Sequence, residues 1–190
     1  GIKPISMTIL KGNLPSGNHG YTDKTRRCAM QHPVHTFRNA LVTIIETQSH
    51  RYCHLPRWQE LNAFPYGSCD LANNMLAMYL REQGYNPKVI WCRNNLTDYP
   101  EILSHVWLEV DDKFIDITIN QFPRLIRERV HIVNKYDIGI LNEIYLHCRE
   151  NNQFEEREVD LRNHAGCADE IYQAVAELAR KLSCIHKVNV

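Results

Sequence analysis

Apolar positions follow two rhythms along this chain. Val34, Phe37, Leu41, Ile44 and Ile45 recur at helical spacing and predict an amphipathic helix over 33–48, with Pro33 in its first turn. Ala72, Met75, Leu76 and Tyr79 repeat at three and four, so 69–83 is expected to be a helix with Ser68 as N-cap and Gly84 as stop signal. Ile171, Val175, Leu178 and Leu182 mark a third helix within 166–183. The other rhythm is alternation. "KVIWC" (88–92) reads as a short buried strand, and "SHVWLEV" and "FIDITI" read as the two arms of a hairpin. Between these lie a connector with a short helix ("HLPRWQELNAF") and a loop ("NNLTDYPEI"). Beyond Pro123 come a helical turn at 124–129, a strand near 130–134 and a helix near 139–150. Residues 1–31 read as a loop-rich lead-in and the acidic "EEREVD" run as a solvated loop. All this is expected in one domain of 190 residues.

Strand parity makes the hairpin informative. Val106, Leu108 and Val110 point to one side of the first arm, so His105, Trp107 and Glu109 point to the other. On the second arm Ile115, Ile117 and Ile119 oppose Phe114, Asp116 and Thr118. If both apolar sets share one face, His105 and Asp116 share the other. A two-residue turn at Asp111-Asp112 places Trp107 across from Asp116 and Thr118 across from His105. The imidazole and the carboxylate are then diagonal neighbours about 7–8 Å apart along the backbone, within side-chain reach. A carboxylate beside one ring nitrogen fixes the tautomer, stabilises the imidazolium and aims the other nitrogen away.

Composition changes this picture little. Apolar residues make up 44% and charged residues 23%, and 22 basic side chains balance 22 acidic ones. A nucleic-acid surface built on bulk charge is therefore not expected, and Arg124, Arg127 and Arg129 read as a solvated helix face. Neither a membrane-spanning run nor a signal-peptide core is evident. Seven irregularly spaced cysteines are expected to be reduced thiols, which favours a cytoplasmic location, although secretion as an effector domain is compatible with the sequence.

One cysteine stands apart. In "FPYGSCDLA" a turn containing Gly67 leads directly into Cys69 at a helix start. The unpaired N–H groups and dipole of a helix N-terminus favour thiolate, which is the nucleophilic form. Gly67 allows a tight turn and leaves room for a substrate. Cys69 also shares a stripe with Ala72 and Leu76, as a buried, inert thiol would.

Three stretches together, "GSCDLANNMLAMYLREQGY", "SHVWLEV" and "FIDITINQF", resemble the transglutaminase-like branch of the papain-like cysteine enzymes over residues 64–122. The resemblance implies an α+β, papain-like core: a central helix starting at Cys69, packed on an antiparallel sheet and flanked by helices. It implies Cys69 as nucleophile, His105 as general base and acid, and Asp116 as orienter. The reaction would be acyl transfer through a thioester, as peptidase, deamidase or transglutaminase, on a protein or peptide and without a cofactor. The backbone N–H of Cys69 would serve the oxyanion, with Gln59 or Trp58 as second donor. Tyr66, Gly67 and Trp107 would contact substrate. Two rival readings are an inactive papain-like binding module and a zinc site combining Cys28, His32 and His35 with Cys53 and His54, whose spacing matches no standard finger.

Overall fold

The computed structural model describes residues 19–163 and 165–189. It is an α+β fold built on a five-stranded, wholly antiparallel sheet. The chain runs α1 (His19–Tyr52), a 3-10 turn (Pro56–Leu61), α2 (Cys69–Glu82), β1 (Lys88–Arg93), β2 (Ser104–Val110) and β3 (Lys113–Asp116). A second 3-10 turn (Ile119–Gln121) leads to β4 (His131–Asn134), α3 (Ile140–Glu150) and β5 (Phe154–Arg157). A two-stranded ribbon, β6 (Arg162–Asn163) with β7 (Gly166–Cys167), precedes α4 (Asp169–Val188). The strand order is β4-β3-β2-β1-β5.

Two apolar layers sandwich the sheet. On one face Val89, Val106, Leu108, Val110, Ile115 and Ile117 meet α1, α2 and α4. On the other, Ile90, Cys92, Trp107 and Phe114 meet Leu141, Ile144, Tyr145 and Cys148 of α3. Parity separates the β2 residues into these two layers as expected. The pairs Leu108 with Ile115 and Val110 with Lys113 fix the two-residue turn, in which Asp111 and Asp112 take φ of 49° and 59°. Two left-handed residues match the twist of paired strands, and aspartate tolerates that region. α2 ends as expected: Gly84 at φ 88° donates to Arg81 O and Tyr85 to Leu80 O, the double bond of a Schellman stop.

Four expectations need correction. The first helix begins at His19, so 19–31 is helical and Pro33 lies inside the helix; residues 1–18 of the expected lead-in lie outside the described residues. Met30, upstream of Pro33, is 1% exposed, and its burial offsets the bond the proline removes. Second, β3 stops at Asp116, and the chain turns so that Ile119 enters the α3-side layer rather than the face of Ile115. Third, Glu155, Glu156 and Arg157 of the expected acidic loop belong to β5, which pairs with β1 as an edge strand, and their side chains are still exposed. Solvated charges suit an edge strand. Fourth, Arg124, Arg127 and Arg129 are exposed on a non-helical loop, not on a helix face. Among the described residues no helix is long and apolar enough to cross a membrane.

Candidate active site

Cys69 is the first residue of α2 and is half-buried. Gly67 precedes it with φ of 69°, and a side chain there would meet nothing within 4 Å. The position is open, and only the backbone conformation demands glycine. We expect Gly67→Ala to cost about 1–2 kcal/mol, read as a lower urea midpoint, through left-handed strain alone. Ser68 is fully buried but does not cap the helix as expected; its hydroxyl donates to Glu60 O (2.6 Å) and so ties the turn down. The first-turn N–H groups of α2 receive no side-chain acceptor from it.

A buried arginine anchors this helix start. Arg57, 0% exposed, donates Nε–H to Glu60 Oε2 (2.7 Å) and Nη2–H to Glu60 Oε1 (2.9 Å) and Asp70 Oδ2 (2.9 Å). Burial opposes its charge, but the two carboxylates outweigh that and raise its pKa. Asp70 also accepts from Asn74 (3.1 Å) and Asn163 (3.3 Å), joining the 3-10 turn, α2 and β6. Arg57→Met should cost about 2–3 kcal/mol, because Glu60 and Asp70 keep partial solvent contact after losing their charged donor. Thermal melting of the variant checks this.

His105 and Asp116 are brought together as parity requires, and both are buried. Nε2 of His105 lies 2.5 Å from Oδ2 of Asp116, with each side chain 0% exposed. Burial works against the imidazolium, yet the Asp116 charge and hydrogen bond, helped by Cys69, outweigh it and raise the His105 pKa. Burial likewise opposes the Asp116 carboxylate, but His105, Thr118 and Asn73 hold its pKa below the ordinary value. Oδ1 of Asp116 accepts from Thr118 N (2.8 Å), Thr118 Oγ1 (2.9 Å) and Asn73 Nδ2 (3.1 Å). The other ring nitrogen, Nδ1, is buried and makes no hydrogen bond of ordinary geometry, while the Cys69 thiol acts on the same imidazole. Phe122 meets the ring edge-on at 5.2 Å. Arg38, 5% exposed, donates to Ile117 O (2.9 Å) and lies over the Phe64 ring at 5.1 Å, tying α1 to the residue after Asp116 and to the turn before Cys69.

The supporting residues expected from sequence lie in different places. Trp58 is 2% exposed and stacks on Tyr52 in the core, whereas Gln59 of the same turn faces solvent. Tyr66 is 55% exposed beside Gly67. Trp107 needs correction as a substrate contact: it is fully buried, between His105 (5.9 Å) and Phe114 (5.6 Å), and packs behind the imidazole. Arg57, Asn73 and Phe122 were not anticipated. The signal for Asn73 was present, as consecutive amides in a helix whose neighbours are apolar; nothing local marked Arg57 as buried. Among the described residues no three His, Cys, Asp or Glu side chains converge in a way that could hold a metal ion, and the Cys28 side chain lies outside them.

No family model, curated protein or solved structure matches the chain.

Proposed function

We propose that the protein is a thiol-dependent acyl-transfer enzyme with a papain-like core, in which Cys69, His105 and Asp116 form the reactive triad. The observation that carries this reading is the fully buried His105–Asp116 pair (2.5 Å), whose imidazole also feels the thiol at the start of α2. A histidine that binds its carboxylate through Nε2 keeps Nδ1 for the reacting groups.

The chemistry follows from these roles. The reactive form of such a pair is a thiolate beside an imidazolium. Sulfur attacks the carbonyl carbon of an amide, a C–S bond forms, and the carbonyl electrons move to oxygen. Backbone N–H groups at the helix start face this developing charge. The oxyanion collapses, the C–N bond breaks, and His105 gives its proton to the leaving amine. Water or a second amine then attacks the thioester while His105 takes its proton, and the C–S bond breaks to restore the thiolate. Asp116 orients His105 throughout and steadies the imidazolium whenever it forms.

A cleft of about 420 Å³ supports approach from the Phe122 side, lined by Pro100, Glu101, Gln121, Phe122, Pro123 and Arg124. Phe122 is shared between this cleft and the edge of the His105 ring. Exposed Tyr66 and Leu103 add apolar surface in the segments just before α2 and β2. A protein or peptide donor suits such a surface better than a small polar metabolite.

The test needs no knowledge of the natural donor. With p-nitrophenyl acetate, a nitrophenolate burst and an acetyl adduct on Cys69 in a peptide map are expected, and an added primary amine should speed deacylation. Acetylation spread evenly over the exposed cysteines, with no burst lost in Cys69→Ala, would overturn the proposal.

A further inference from the structure

One fully buried side chain links the helix that carries Cys69 to the strands that carry His105 and Asp116. Asn73 lies four residues after Cys69 on α2, one helical turn along and about 6 Å further down the axis. Its Nδ2 donates to Val106 O (2.9 Å), the residue after His105, and to Asp116 Oδ1 (3.1 Å). Its Oδ1 accepts from the N–H of Ile117 (3.3 Å), the residue after Asp116. The main-chain partners on either side fix the amide orientation, because a carbonyl must be met by NH₂ and an N–H by oxygen.

Resting on the triad reading, we propose that Asn73 is the positioning residue of the site: it sets the spacing between the nucleophile's helix and the hairpin, and it turns Asp116 towards His105. Two features distinguish this from ordinary core satisfaction. First, the bonds of Asn73 run between elements. β2 and β3 pair with each other and need no help with register, but α2 packs on them through apolar contacts that leave small shifts inexpensive. Hydrogen bonds to Val106 O and Ile117 N fix that freedom in two directions. Second, Asn73 and Thr118 occupy Oδ1 of Asp116, so Oδ2 is the oxygen left to face the ring. An uncharged amide is the group this requires. A carboxylate at the same place would repel Asp116, and an ammonium would compete with His105 for its charge.

The readout is Cys69 alkylation by iodoacetamide at pH 6.5, resolved by peptide mass spectrometry, beside the urea midpoint of each variant. Asn73→Ser should slow alkylation at least about tenfold and move the reactive limb to higher pH, with the native circular dichroism spectrum kept. Thr118→Val removes one donor to Asp116 and a long contact with Asn73 (3.4 Å) but leaves the Asn73 bonds to Val106 O and Ile117 N in place, so it serves as the control, with less than about threefold slowing expected. If Asn73→Ser does not fold, Asn73→Thr keeps one hydroxyl for these partners and fills more of the amide's volume while Asp116 stays in place. The same slowing is expected in that variant, because one hydroxyl cannot meet Val106 O, Asp116 and Ile117 N–H together. Wild-type rates in either Asn73 variant, with His105→Ala still slow, would overturn the positioning role and leave the triad reading intact. Equal rates in wild type and His105→Ala would remove both.

Discussion

His105→Ala is expected to slow alkylation of Cys69 by tens-fold at pH 6 and to erase its lead over the other cysteines. An ordinary thiol is thiolate to only about 0.3% at that pH. A thiolate paired with an imidazolium escapes this limit, although its lower basicity returns part of the gain as weaker nucleophilicity, which is why tens rather than hundreds is the expected factor. The comparison is internal. Cys53, Cys167 and Cys184 are exposed, Cys92 and Cys148 are buried, and burial pushes the thiols of the last two up. Labelling ordered by exposure alone, with Cys53, Cys167 and Cys184 ahead of half-buried Cys69, would remove the case for a nucleophile at the start of α2.

The second large effect belongs to Asp116→Asn and is a stability effect with a defined pH window. His105 is held above its ordinary 6.5, so its contribution is complete below about that pH and is lost as pH rises through the raised value. Asp116 is held below its ordinary 3.8, so its contribution is complete above that pH and is lost as pH falls through the lowered value. Both are therefore complete between about pH 4 and 6.5. Breaking a pair in which both members are 0% exposed costs about 3 kcal/mol or more, because the remaining group keeps the desolvation without the partner. Urea midpoints should show that margin near pH 5.5 and a clearly smaller one by pH 10, where wild-type His105 is itself losing its proton. The same substitution should slow Cys69 alkylation, since burial then acts against the imidazolium without the Asp116 charge to offset it. A margin constant from pH 5 to 10 would mean that the pair is held as a neutral hydrogen bond.

These two substitutions, with Gly67→Ala and Arg57→Met, separate the chemistry of the site from its support. The first two remove charge from the reacting groups. The other two act on the turn and the helix start that place Cys69, and they should register mainly as lost stability.

Much of the site was legible along the chain because strands and helices encode their faces locally. The alternation of "SHVWLEV" and "FIDITI", with a two-residue turn, was enough to put His105 beside Asp116. Gly67 before Cys69 and Gly84 after Gln83 bounded α2 through the left-handed backbone that each adopts. Periodicity of this kind states which residues share a face. It does not state what that face meets. Only the tertiary structure decided that α3 covers the second face of the sheet, which turns a polar-looking strand side into a dry layer around Trp107 and Phe114, and that Phe122, Thr118 and Asn73 close around the His–Asp pair. Only the packing of α2 on the hairpin brought Asn73 to Asp116, 43 residues apart in sequence. The same holds for Arg57, whose partner Asp70 lies across the turn, and for α1, which runs through Pro33 because Met30 has a core to enter. The sequence by itself determined local faces, turns and helix ends, which depend on neighbours a few residues away. The tertiary structure decided burial, and with it how strongly the charges of His105 and Asp116 depend on each other, because desolvation depends on everything packed around a group rather than on where it sits in the chain.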